Sequence, residues 1–239
     1  MRLLPAAATL LIAAAAPLAI AACTTGSPSA PDQAARPASA APSPADPDAG
    51  LLTGTQLRGL LEPRSYFPRG YVRDSAGTRD TGRGYQQPDS TAVAKPKCRM
   101  LGATSWTSIT GISGVSFAEG AYIDKASSSE IAQEIDVYRG TTSRAVMRKL
   151  GAVATACPWY TDPQTGSRAT VSEQASPRFV EGGYVITVTD PAWRNGTTLV
   201  AARAGTAVVT VLSTDGADNG RASAVRLASQ LVALLQGMA

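Results

Sequence analysis

From Leu51 to the end of the chain, apolar residues recur at either the helical or the strand period, and the switches between the two periods mark the elements. Thr53 and Gln56 stand at capping-box spacing ahead of Leu57, Leu60 and Leu61, and Pro63 stops the turn, so a short helix is expected over Leu51–Leu61. A second helical turn or two is expected from Cys98 to Ser105, packing Met100 and Leu101. Val115–Ile123 and Ile131–Tyr138 read as a strand pair joined by Asp124-Lys125-Ala126-Ser127, with Ile131, Ile135 and Val137 on one side and Glu134 and Asp136 on a solvated one. Val146, Leu150, Val153 and Cys157 then form one stripe of an amphipathic helix that turns Cys157 inward.

After Pro158-Trp159 the period becomes strand-like over Arg168–Gln174, Tyr184–Thr189, Leu199–Arg203 and Ala207–Leu212. Asn195-Gly196 and Ala204-Gly205 supply turn chemistry for consecutive hairpins. The last strand carries Val208, Val209, Val211 and Leu212 and is apolar on both faces, which places it inside the sheet. Ala222–Met238 closes the chain as a helix that buries Val225, Ala228, Leu231, Val232 and Leu235. The predicted fold is therefore α+β: an antiparallel sheet of about six strands packed against amphipathic helices. Arg64–Pro88, rich in Gly, Arg, Tyr and Asp without sustained period, reads as an irregular surface excursion.

Ahead of this body the pattern differs twice. Leu3–Leu18 is an Ala-rich apolar run directly after Arg2, too short and too weakly hydrophobic for a membrane span, and Ile20-Ala21-Ala22-Cys23 follows it. That arrangement reads as a lipoprotein signal peptide over residues 1–22 with Cys23 as the acylated residue; the alternative is an ordinary secretory signal with an incidental cysteine. Two or more acyl chains, at roughly 0.8 kcal/mol per buried methylene, would hold the product on the outer face of a cell membrane. Thr24–Gly50 is Ser, Pro, Ala, Asp and Gly with almost no large apolar residue, so residues 23–50 form a lipidated cysteine plus flexible linker, with a reach on the order of 30 Å. Residues 51–239 are the globular domain.

Removing residues 1–22 takes away Arg2 and no acid, so the formal charge falls from +4 to +3, too little to point to nucleic acid. Cys23 committed to lipid leaves Cys98 and Cys157, for which an extracytoplasmic compartment makes a disulfide the default and two separate buried thiols the alternative. The chain has no histidine, which removes Ser-His-Asp and Cys-His catalysis and His-ligated zinc. The residues three before Lys95, Lys97, Lys125 and Lys149 are Ala92, Ala94, Tyr122 and Val146, so Ser-x-x-Lys is missing, as are Gly-x-Ser-x-Gly and a P-loop. No cofactor is implied. A carboxylate pair drawn from Glu119, Glu130, Glu134 and Asp136 is the one enzyme chemistry left open.

For binding, Arg64, Arg69, Arg73, Arg79 and Arg83 interleave with Tyr66, Phe67, Tyr71 and Tyr85. Guanidinium groups grip phosphate or carboxylate and aromatic rings stack on sugars or acyl chains, which suits an anionic envelope polymer, a lipid or a small-molecule ligand. The bland reading is a loop whose arginines keep it soluble. Tyr66, Arg69, Tyr71 and Arg73 are the candidate contacts, with Trp193 and Arg194 at a hairpin tip either joining that surface or folding back over the sheet.

The Leu51-Leu52-Thr53 opening, Pro96-Lys97-Cys98, and the two-strand unit leading to a helix that ends at Cys157 resemble the extracellular sensor domain of PknH-type mycobacterial serine/threonine kinases and the free-standing actinobacterial lipoproteins that share it. The resemblance spans residues 51–239 and rests on diffuse motifs. It implies a sheet-and-helix sandwich with a cleft, a ligand-binding or sensing role, and no enzymatic activity. Two departures stand out: the kinase-attached domains carry two disulfides where this chain has cysteines for one, and no kinase motif is present. The functional expectation is a membrane-anchored, non-enzymatic binding or sensor module for an envelope component; the alternatives are an assembly partner of another envelope protein and a carboxylate-dependent hydrolase.

Overall fold

The computed structural model describes residues 46–88 and 95–238. The expected signal peptide, Cys23 and most of the linker lie outside the described residues. Eight strands form one antiparallel sheet: β1 (Tyr71–Asp80), β2 (Ser116–Asp124), β3 (Ser129–Val137), β4 (Trp159–Thr161), β5 (Arg168–Ala175), β6 (Gly183–Thr189), β7 (Thr197–Ala204) and β8 (Ala207–Ser213), in the order β1-β2-β3-β8-β7-β6-β5-β4. The sequence accounts for six of them. The other two are edge strands, where burial on one or both faces is slight and the hydrophobic period correspondingly weak.

β1 is the larger correction. Part of the segment read as an irregular excursion is a ten-residue strand paired with β2, with a register shift between Asp74 and Arg79. Only Tyr71 of its side chains is fully buried, so its strand character comes from the β2 backbone ladder and leaves no trace in the apolar pattern. β4, the opposite edge, is three residues of mostly exposed side chain.

Helices cover both faces. On one, α1 (Gly54–Arg58) and α5 (Arg221–Gln236) pack over Ile131, Ile135, Val200, Ala202, Val209 and Val211. Leu227 and Leu231 of α5 are fully buried there, each contributing roughly 2 kcal/mol of apolar transfer. The Thr53/Gln56 capping box forms as expected, the Thr53 N–H donating to Gln56 Oε1 at 2.8 Å. Gly220, at φ +81°, starts α5 against the Ser213 carbonyl, where a side chain has no room.

On the other face, a 3-10 turn at Cys98–Gly102, α2 (Thr107–Thr110), α3 (Thr142–Leu150) and α4 (Val153–Ala156) cover Ala132, Ile186, Leu199, Val208 and Leu212. The single helix expected to run to Cys157 is thus two, broken at Gly151, where a Cβ would meet the end of the Tyr184 side chain and force it to move. Its buried stripe survives the break, and Cys157 is fully buried in a disulfide with Cys98 that closes a sequence separation of 59. Trp106 anchors the same layer, its indole N–H donating to Thr210 Oγ1 of β8 at 2.6 Å. Asn195-Gly196 is not a two-residue turn: β6 and β7 are joined by residues 190–196, and the Gly196 N–H donates to Asn219 Oδ1 at 2.8 Å. Asp48, inside the segment read as linker, forms a two-point ion pair with Arg139 at 2.6 and 2.8 Å.

Candidate functional sites

β3 sends alternate side chains to opposite faces, and helical layers lie over both. Glu134 and Asp136, expected on a solvated face, are 2% and 7% exposed. Register places Glu119 of β2 opposite Glu134, and Arg79 of β1 opposite Glu119. The Thr104 hydroxyl reaches Glu119 Oε1 at 3.1 Å and also Glu134 Oε2, so its one proton serves one carboxylate at a time. Arg79 Nε donates to Glu119 Oε2 at 2.7 Å.

Burial, above all, pushes the Glu134 carboxyl up to about 7. Burial pushes Asp136 well above the carboxylate range, and the Glu134 charge and hydrogen bond push it further. With both groups ionised, Asp136 Oδ2 would face no donor. A proton carried on Asp136 and donated to Glu134 satisfies both, as in carboxyl pairs that share one proton. Burial, and after it the Asp136 and Glu134 charges, also raises the neighbouring Tyr138 phenol. Among the described residues no group of three or more His, Cys, Asp or Glu is placed to hold a metal ion.

A more accessible site lies at the β6–β7 tip. A groove of about 480 Å³ is lined by Ser127, Ser128 and Ser129 from the β2–β3 turn, by Gln164, by Trp193, Arg194, Asn195 and Thr197, and by Thr214. Two buried aspartates brace the loops behind it. Asp162 accepts the Gln164 N–H at 2.8 Å and the Trp193 indole N–H at 2.6 Å, contacts that hold its carboxyl below the usual range. Asp190 accepts the Ala192 N–H at 2.7 Å and the Ser167 hydroxyl at 2.5 Å. Trp193 packs partly on the core and also lines the groove, away from the arginine and tyrosine residues of the 64–85 segment. Fixed indole, hydroxyls, amides and one guanidinium, with no carboxylate in the lining, suit a hydroxyl-rich ligand bearing an acidic group.

The remaining candidates are dispersed. Tyr71 is buried in the core with its hydroxyl unpartnered, and desolvation raises its phenol. Tyr66 is half-buried beneath the Arg226 guanidinium, 5.7 Å from the ring centre. Arg69 is exposed beside β1, and Arg73 lines a separate groove of about 330 Å³ with Arg58, Glu62 and Glu119. Trp193 and Arg194 line a different groove from Arg73.

No family model and no curated protein matches the chain. Among solved structures it is similar to the crystal structure of the extracellular domain of PknH from Mycobacterium tuberculosis, with a TM-score of 0.46, 12% identity, and coverage of 78% of this chain and 97% of that one. The resemblance read from the sequence therefore has a structural neighbour, at a likeness too low to carry a functional argument. Among the described residues no helix is long and apolar enough to cross a membrane.

Proposed function

We propose that this chain is an extracytoplasmic lipoprotein, anchored through Cys23, that acts as a non-enzymatic binding or sensor module for a cell-envelope component. The observation that carries the reading is the groove at Trp193 and Arg194, where an indole held by Asp162 stands beside a guanidinium among hydroxyl and amide groups. Its ligand is an acidic, hydroxyl-rich envelope glycan: sugar rings stack on the indole, and the acidic group pairs with Arg194. The burial of Glu134 and Asp136 supports a non-catalytic role, because a glycosidase needs its carboxyls on either side of an accessible bond.

A thermal-shift screen of the protein against purified acidic envelope polymers, muropeptides and phospholipids tests this. An acidic glycan is expected to raise the melting temperature, and Trp193→Ala or Arg194→Ala to abolish the rise. Silence across the glycans, or a rise unchanged in both variants, refutes the groove. Crosslinking in intact cells that yields one dominant protein partner would favour an assembly role instead.

A further inference from the structure

The outer side of α5 carries a second groove, of about 570 Å³, lined by Arg178, Asp218, Arg221, Ala222, Val225, Arg226, Ser229 and Gln230. Three guanidinium groups face one carboxylate there, and Asp218 is already engaged, its Oδ2 accepting the Ala222 N–H at 2.8 Å. The described residues hold four ion pairs, Arg58–Asp80, Arg79–Glu119, Arg139–Asp48 and Arg203–Glu181, and none of the groove's arginines is in them. Arg221 is instead tied to Gln174 Oε1 at 3.0 Å, and Arg226 lies over the Tyr66 ring. Three guanidinium groups beside one carboxylate leave a net positive charge in the groove, and a bound anion relieves the repulsion among them.

The surroundings say which anion. The β5–β6 loop carries Arg178 into this groove and, two residues on, presents Val180 at 94% exposure. Along α5 the exposed side passes from Arg226 and Gln230 to Leu234, 36% exposed, with Met238, 55% exposed, just past the helix end. Glu181 of the same loop and Met238 line a further groove with Gly50, four residues after the described chain begins on the side of Cys23. Guanidinium groups flanked by protruding apolar side chains match a membrane surface, phosphates meeting the arginines and the apolar groups entering the headgroup zone.

We infer that the α5 face docks on an anionic phospholipid surface, with Arg178, Arg221 and Arg226 taking lipid phosphates. This site shares no lining residue with the glycan groove, so it stands whether or not that groove binds. Only the relevance of the tether rests on the acylation of Cys23.

Residues Pro44–Ala239 form one compact unit, so that unit, unacylated, is the test protein. Its cosedimentation with vesicles of phosphatidylcholine containing phosphatidylglycerol is compared with pure phosphatidylcholine, with inorganic phosphate added as competitor. Binding only to the anionic vesicles is expected, weakening about fivefold for each arginine changed to Ala and about a hundredfold for all three. Val180→Asp, which leaves the arginines in place, is expected to weaken it as well. Equal binding to both vesicle types, an unchanged triple variant with a native circular-dichroism spectrum, or tight binding of inorganic phosphate without vesicle binding would each overturn the assignment. Intact-mass analysis of Cys23 tests the tether separately.

Discussion

Replacing Glu134 by Gln and Asp136 by Asn removes the shared proton from the middle of the sheet while keeping side-chain shape, and the consequence is a change in how stability depends on pH. In the folded chain Glu134 titrates at about 7 against an ordinary 4.5. Between those values the Glu134 carboxyl of the native state holds a proton that the unfolded chain has released, so its contribution to the free energy of unfolding falls as pH rises. At 1.36 kcal/mol per pKa unit the fall attributable to Glu134 is about 3 kcal/mol. Asp136, raised by the same burial, adds in the same direction. Glu130, raised chiefly by burial, contributes a further part that the double variant retains. Asp48, Asp124 and Asp162 are lowered, and their effect of opposite sign appears only as pH falls below the carboxylate range. Urea denaturation from about pH 5 to pH 8 should therefore show wild-type stability declining and the double variant nearly level. Infrared spectroscopy near pH 6 should show a protonated carboxyl band in the wild type that the variant lacks. A level wild-type profile, or the same slope in both proteins, would refute the upward shift of the two buried carboxyls.

Two further outcomes follow from the layer that covers this pair. Reducing Cys98–Cys157 frees a loop of 59 residues' separation and should lower stability by about 4 kcal/mol, read as a lower urea midpoint in the presence of reductant. Trp106→Phe removes the donor to Thr210 Oγ1 in a fully buried site and should cost about 2 kcal/mol in thermal denaturation, with Thr210→Val added to it recovering part of the loss.

The central strands were legible because their chemistry is redundant: β8 is apolar on both faces, and β3, β7 and β6 near it carry mostly buried side chains. The disulfide partners followed from counting cysteines, and the capping box from Thr53 and Gln56. What stayed hidden depends on neighbours. β1 is a strand because β2 offers it a ladder, and its own side chains are mostly in water, so nothing in their order distinguishes it from a loop. Glu134 and Asp136 look like a solvated face in any reading that treats β3 as one half of a hairpin. Their cover is the layer that carries Thr104, Trp106 and Tyr138, which nothing in the order of the β3 residues reveals.

The same dependence on neighbours separates the two surface sites. Trp193 and Arg194 are adjacent in the chain, between two strand patterns, so an aromatic and a basic group at one tip can be read directly from sequence. Arg178 belongs to the β5–β6 loop, while Arg221 and Arg226 are five residues apart on a helix, a spacing that opposes side chains as often as it joins them. They converge because α5 lies back across β7 and β8 and brings its first turns to the β5–β6 loop. An arrangement of like charges that only tertiary packing creates is one that the fold must hold against its own repulsion. It is therefore the arrangement in which an excess of three guanidinium groups over the one carboxylate of Asp218 says most about what the surface meets.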